Sequence, residues 1–200
     1  MDNFTKQIKS KLSFLKGQKL KNLGLKLSLL SLITVSFLFQ VRAQAPQFAT
    51  GTTNAPSNSF PFNSTGGKSL QSLILPGELT GAYFGNITKV YFQGTASSSG
   101  TYNGLTIKMG QPSTSTTTLP TGAFATGLTT VFAGTSTTLS TTTAGWASLT
   151  LQTPFLYDPS KSLIIEIQQC SATGGFTITN VSKTGFRRTW NASGCNTTYS

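Results

Sequence analysis

The sequence predicts an all-β protein: an antiparallel β-sandwich, jelly-roll-like or immunoglobulin-like, behind a cleaved signal peptide. Three observations predict it. From residue 45 onward, 156 residues hold 51 Ser and Thr, 18 Gly and only ten charged side chains. Short apolar runs in that stretch alternate with polar residues or stand between turn signals, and no segment carries its apolar residues at the helical period. The composition alone would also suit a disordered stalk, because Ser, Thr and Gly bury little. The alternation argues for strands instead: in LTIKM at residues 105–109, Leu105, Ile107 and Met109 project to one face and Thr106 and Lys108 to the other.

Taken in chain order, residues 1–44 read as a targeting segment. They hold eight basic residues and one acid, Asp2, for a net charge of +7. The uncharged run LSLLSLITVSFLFQV at residues 27–41 follows, and then small residues suited to a signal peptidase. Cleavage after Ala43 or Ala45 makes Gln44 or Pro46 the mature N-terminus. Fifteen apolar-leaning residues fall short of the ~20 that span a bilayer. Nothing after residue 45 resembles a second span, and no cysteine follows the run to carry a lipid. The expected destination is the extracellular space or the outer cell surface.

Residues 45–68 have few strand formers and read as an exposed lead-in. Residues 69–190 carry the sandwich, with strands expected at 70–75, 87–93, 105–109, 128–133, 147–151, 163–167, 176–181 and 186–190. Turn signals separate them, among them Pro76-Gly77, Gly85-Asn86, Asn103-Gly104, Asp158-Pro159-Ser160 and Gly174-Gly175. Residues 111–127 and 135–145, rich in Thr, Ser and Gly, read as the long loops. Their threonines follow no fixed period, which argues against an ice-binding array. Residues 191–200 read as a polar tail leading into further domains. A chain of this length forms one domain and buries ~68–70% of its unfolded surface.

Composition excludes much chemistry. The sequence has no histidine, so a Ser-His-Asp triad, a Cys-His pair and every His-containing zinc site are impossible. After residue 44 there are seven bases and three acids. Apart from Arg187-Arg188 the bases are scattered, whereas nucleic-acid binding needs a clustered footprint. Three carboxylates remain for catalysis or calcium, and each has a plainer explanation. Glu78 follows Pro76-Gly77 in a turn, and Asp158 caps the turn before Pro159. Glu166 lies opposite Leu163, Ile165 and Ile167, on what reads as a solvated strand face. No catalytic residue, metal ligand or cofactor is expected. In an exported chain Cys170 and Cys195 read as a disulfide, whose loop of 25 residues contributes about 3 kcal/mol on the chain-entropy argument.

Aromatic rings are the remaining handle, since sugars stack on Trp and Tyr. Tyr91, Tyr102, Tyr157 and Trp190 are the candidate ligand-binding residues, with Tyr83 and Trp146 also considered. Tyr91 stands between Val90 and Phe92, so the inward set of that strand decides whether it faces out. Trp146, beside the alternating segment that starts at Ala147, reads as core filling.

The ordered blocks GNITKVYF at 85–92, NGLTIKMG at 103–110, GLTTVFAG at 127–134, Gly145-Trp146, LTLQTPF at 149–155 and SLIIEI at 162–167 resemble a β-sandwich module of exported Bacteroidota surface proteins. The resemblance covers residues 60–180. It implies a non-catalytic module, often ahead of fibronectin-type-III-like domains in large proteins exported by type IX secretion, and it supplies no active-site residue. The final residues, Asn196 to Ser200, do not look like the sorting domain of such proteins. The expected function is that of a non-catalytic structural or adhesive cell-surface module. Its partners would be a cell-surface or extracellular polymer, polysaccharide included, or neighbouring domains of the same protein. The alternative is a carbohydrate-binding accessory domain of a secreted hydrolase.

Overall fold

Alternating runs bounded by Gly and Pro turns fold as ten strands in the computed structural model, which describes residues 45–50, 57–58, 60–63, 67–112, 116–192 and 195. The expected signal peptide, residues 1–44, lies outside the described residues. The strands are β1 (Ser57–Asn58), β2 (Lys68–Ile74), β3 (Gly85–Gly94), β4 (Ser98–Gly110), β5 (Thr129–Thr141), β6 (Gly145–Tyr157), β7 (Leu163–Gln169), β8 (Ser171–Gly175), β9 (Ile178–Thr179) and β10 (Arg188–Asn191). They form two antiparallel sheets packed as a sandwich, of order β1-β9-β3-β6 and β10-β2-β7-β4-β5, with β8 pairing β4 beyond the end of β7. The fold is all-β, as expected. No helix among the described residues is long and apolar enough to cross a membrane.

The core follows from the two-residue period. Leu105, Ile107 and Met109 of β4 meet Ala147, Leu149 and Leu151 of β6 and Leu163 and Ile167 of β7. Each such side chain, fully buried, contributes roughly 1.5–3 kcal/mol. An aromatic cluster fills the centre. Phe62 stands edge-on to Phe92, Tyr102 and Phe176 at centroid distances of 4.8, 5.3 and 6.3 Å. The Tyr102 hydroxyl donates to the Phe62 carbonyl at 2.7 Å and accepts from the Phe176 N–H at 2.9 Å. A side chain on Gly100 would collide with that hydroxyl, so the absence of a Cβ there makes room for it.

This places part of the expected exposed lead-in inside the protein. Phe62 is fully buried, Phe48 packs edge-on to Tyr83 at 5.6 Å, and Gln47 donates to the Tyr83 hydroxyl. A segment docked by isolated rings and backbone bonds has no strand periodicity to announce it.

Burial pushes the Tyr102 phenol up from 10.0 to about 12, with the Phe176 N–H pulling weakly the other way. The folded chain therefore holds this proton through a range in which the unfolded chain has released it, and stability falls as pH rises between 10 and about 12. Urea denaturation across that range should show a decline that Tyr102→Phe reduces. An identical decline in both proteins would contradict the assignment.

Two expected loops part ways. Residues 135–145 are not a loop: β5 continues to Thr141 and β6 begins at Gly145. Threonine is β-branched and suits a strand with one wet face, and Leu139 supplies the buried anchor. Residues 111–127 do lack strands where described, but they are not a free excursion. Leu119, Ala125 and Leu128 pack on Leu73, Leu75 and Ile164 to form a second, smaller core on the outer face of the larger sheet. Gln71 fixes this cover by accepting from the Ala125 N–H at 2.8 Å and donating to the Ala125 carbonyl at 2.9 Å. The Leu119 N–H also donates to the Phe186 carbonyl.

Cys170 interrupts the run from β7 into β8 and pairs with Cys195, their Cα atoms 4.5 Å apart. Opposite it, Gly104 has a φ of 61°, and a Cβ there would strike the Cys170 sulfur. The residue must be glycine on both counts.

Candidate functional site

The three carboxylates of the sandwich serve the fold. Glu78 sits in the turn after β2, where its carboxylate accepts from the Leu75 N–H at 2.8 Å and pairs with Lys183 at 3.1 Å and with Arg187. Arg187 also donates twice to the Leu73 carbonyl, at 3.1 and 3.0 Å, so the pair ties this turn to the segment entering β10. Burial raises the Glu78 pKa, but the Leu75 N–H, Lys183 and Arg187 outweigh it and the net shift is downward. Asp158 accepts from the Ser160 hydroxyl and N–H at 2.6 and 3.0 Å, which lowers its pKa. That is the turn-capping role expected of it.

Glu166 corrects the sequence reading. It does lie on the face of β7 opposite Ile165 and Ile167, but that face is not solvated: the residue is 3% exposed. Lys108, its register partner on β4, pairs with it at 2.8 Å. Gln71, its partner on β2, donates to it at 2.7 Å. The cover formed by residues 116–128 is bonded to this triad through Gln71 and Ala125. Among the described residues no group of three or more Cys, Asp or Glu side chains could hold a metal ion.

The candidate aromatics separate. Tyr102 and Tyr157, at 0% and 4% exposure, are core residues and cannot form a surface platform. Burial, and then the Asp158 charge, raise the Tyr157 pKa. Trp190 stands on β10 opposite Leu70, half-exposed and edge-on to Phe60 at 5.4 Å. Tyr91 does face outward. Val90 and Phe92 pack toward the core, opposite the buried Leu149 and Ala147, so strand alternation turns Tyr91 to the other side.

The same alternation moves Trp146 out of the core. Its neighbour Ala147 points inward, and Trp146 pairs in register with Gln93 on the outer face. Tyr91 pairs with Ser148, which makes Tyr91 and Trp146 diagonal neighbours, a relation that puts Cα atoms ~7–8 Å apart and large rings within reach of each other. Lys89 and Thr150 continue this face. The result is two half-buried aromatic rings in a field of amide, hydroxyl and ammonium groups on the outer side of β3 and β6. The sequence signal for Trp146 was present in the order Trp-Ala-Ser-Leu, whose small and aliphatic members set the inward parity.

Comparison with family models, curated proteins and solved structures returns no match to this chain.

Proposed function

We propose that the chain is a non-catalytic structural or adhesive module of an exported cell-surface protein, and that its partner is an extracellular polymer. The observation that carries this reading is the outer face of β3 and β6, where Tyr91 and Trp146 occupy diagonal register positions among Gln93, Ser148 and Thr150. Rings offer flat apolar surface, and the surrounding amide and hydroxyl groups offer hydrogen bonds; a pyranose has the matching apolar face and hydroxyl rim. The engagement of Glu78, Asp158 and Glu166 in the fold supports a binding role over a hydrolytic one. The Cys170–Cys195 pair suits an oxidising compartment, and the resemblance to type IX-exported Bacteroidota modules supplies a surface context.

The alternative, an accessory carbohydrate-binding domain of a secreted hydrolase, uses the same face. Affinity electrophoresis of the protein in gels carrying soluble polysaccharides tests both. The protein should be retarded by at least one polymer, and a Tyr91→Ala/Trp146→Ala variant should lose affinity by about tenfold, equivalent to ~1.4 kcal/mol. Release of reducing sugar by the protein would overturn the non-catalytic reading. Retention unchanged in the double variant would remove this face from binding.

A further inference from the structure

The two sheets leave a gap between them on the side of β2 and β10. The smaller sheet has long strands only in β3 and β6, while β1 and β9 contribute two residues each. An open cavity of about 1210 Å³ runs between the sheets and along the edge of β3, bordered also by residues 45–50. Ile74 and Ile165 line it from one sheet, and Ile87, Val90 and Phe92 from the other. These side chains occupy inward positions yet are only half-buried, unlike Leu105 and Val131, which are fully buried and do not line it.

Two charges share the inward parity of the larger sheet here: Lys68 of β2, which is buried, and Arg188 of β10. Arg188 is the register partner of Ser72 at the edge of the larger sheet, it lines the cavity, and it is exposed. Its guanidinium has no hydrogen-bond or carboxylate partner among the described residues. Its neighbour Arg187 is held by Leu73 and Glu78. Glu78, the acid at the cavity margin, is matched by both Arg187 and Lys183, so the mouth keeps an excess of positive charge.

We propose that this cavity is a binding site for a long-chain carboxylate, its acyl chain between the sheets and its headgroup on Arg188. Aliphatic and aromatic walls favour transfer of a hydrocarbon chain out of water. A guanidinium matches a carboxylate in two parallel hydrogen bonds. Largely apolar walls with a few polar groups that fix orientation are the usual composition of a small-molecule pocket.

The test uses the full chain and the fluorescent fatty acid cis-parinaric acid, displaced by palmitate or by 1-hexadecanol, which has the same chain without the charge. Saturable binding of one probe per chain is expected, with displacement by both competitors. Arg188→Ala should weaken palmitate about tenfold, the range for a hydrogen bond to a charged group. It should leave hexadecanol unchanged, and Arg188→Lys should recover part of the loss. Arg188 is exposed and has no side-chain partner among the described residues, so these variants should keep the fold, which circular dichroism verifies. Absence of saturable probe binding would overturn the proposal. So would a palmitate affinity that Arg188→Ala leaves intact, or an equal loss for palmitate and hexadecanol.

Discussion

Replacing Phe62 with alanine lowers the free energy of unfolding by about 3–5 kcal/mol, the range for truncating a buried aromatic ring. The ring is fully buried and touches three others edge-on, an arrangement that adds ~0.5–1.5 kcal/mol per pair beyond burial. The surroundings have little freedom to collapse into the space left behind. The Phe62 carbonyl accepts from the Tyr102 hydroxyl at 2.7 Å and from the Phe176 N–H at 3.1 Å, which pins the backbone on both sides of the hole. Urea denaturation should show the midpoint falling while the m-value holds, and Phe62→Leu should lose less. A loss below about 1 kcal/mol, ordinary for a surface change, would mean that this segment does not dock in solution.

Glu166→Ala should cost about 3 kcal/mol, the lower end of the range for removing one partner of a buried ion pair. Lys108 is a quarter exposed, at 25% of its side chain, and water can take up part of its lost interaction. Gln71 loses one acceptor but keeps its two bonds to Ala125, so the cover should loosen without detaching. Faster limited proteolysis within residues 116–128 would register the loosening. Lys108→Met combined with Glu166→Leu removes both charges and should be less destabilised than Glu166→Ala alone, since no uncompensated charge stays behind. A double variant as unstable as the sum of its two single changes would argue that the pair does not act as a unit.

What could be read from the sequence, and what could not, divides along the range of the interactions. Strands β4, β6 and β7 were legible because Leu105, Ile107 and Met109, then Ala147, Leu149 and Leu151, then Leu163, Ile165 and Ile167 repeat every second residue. Tyr102 was not, because the inward set of β4 changes from even to odd numbers across Gly104: Tyr102 and Leu105 both face the core, which regular alternation forbids. A left-handed glycine makes that change, and the sequence shows only an Asn-Gly pair that also signals a turn. The face of Glu166 was legible and its burial was not, since Leu119 and Ala125 cover that face of the sheet from a stretch with no periodicity. Phe62 was hidden for the same reason. At the candidate binding face Tyr91 was left open and Trp146 misassigned. Both follow once Ala147 and Leu149 are taken as inward, so the information was local and the error lay in weighing ring size above parity.

The disulfide also decides how the sandwich takes a mechanical load. A pull entering at Cys195 passes through the sulfur bridge to Cys170 and does not travel along the intervening chain, so β8, β9 and β10 lie inside a covalent ring that carries no tension. Without the bridge the same pull would peel β10, an edge strand held to β2 by four residue pairs, opening one rung at a time. With it, the force arrives at the end of β7, which pairs with β2 over seven residues on one side and with β4 over five on the other. Those rungs lie along a central strand and share the load, so the edge strand β10 is taken out of the load path.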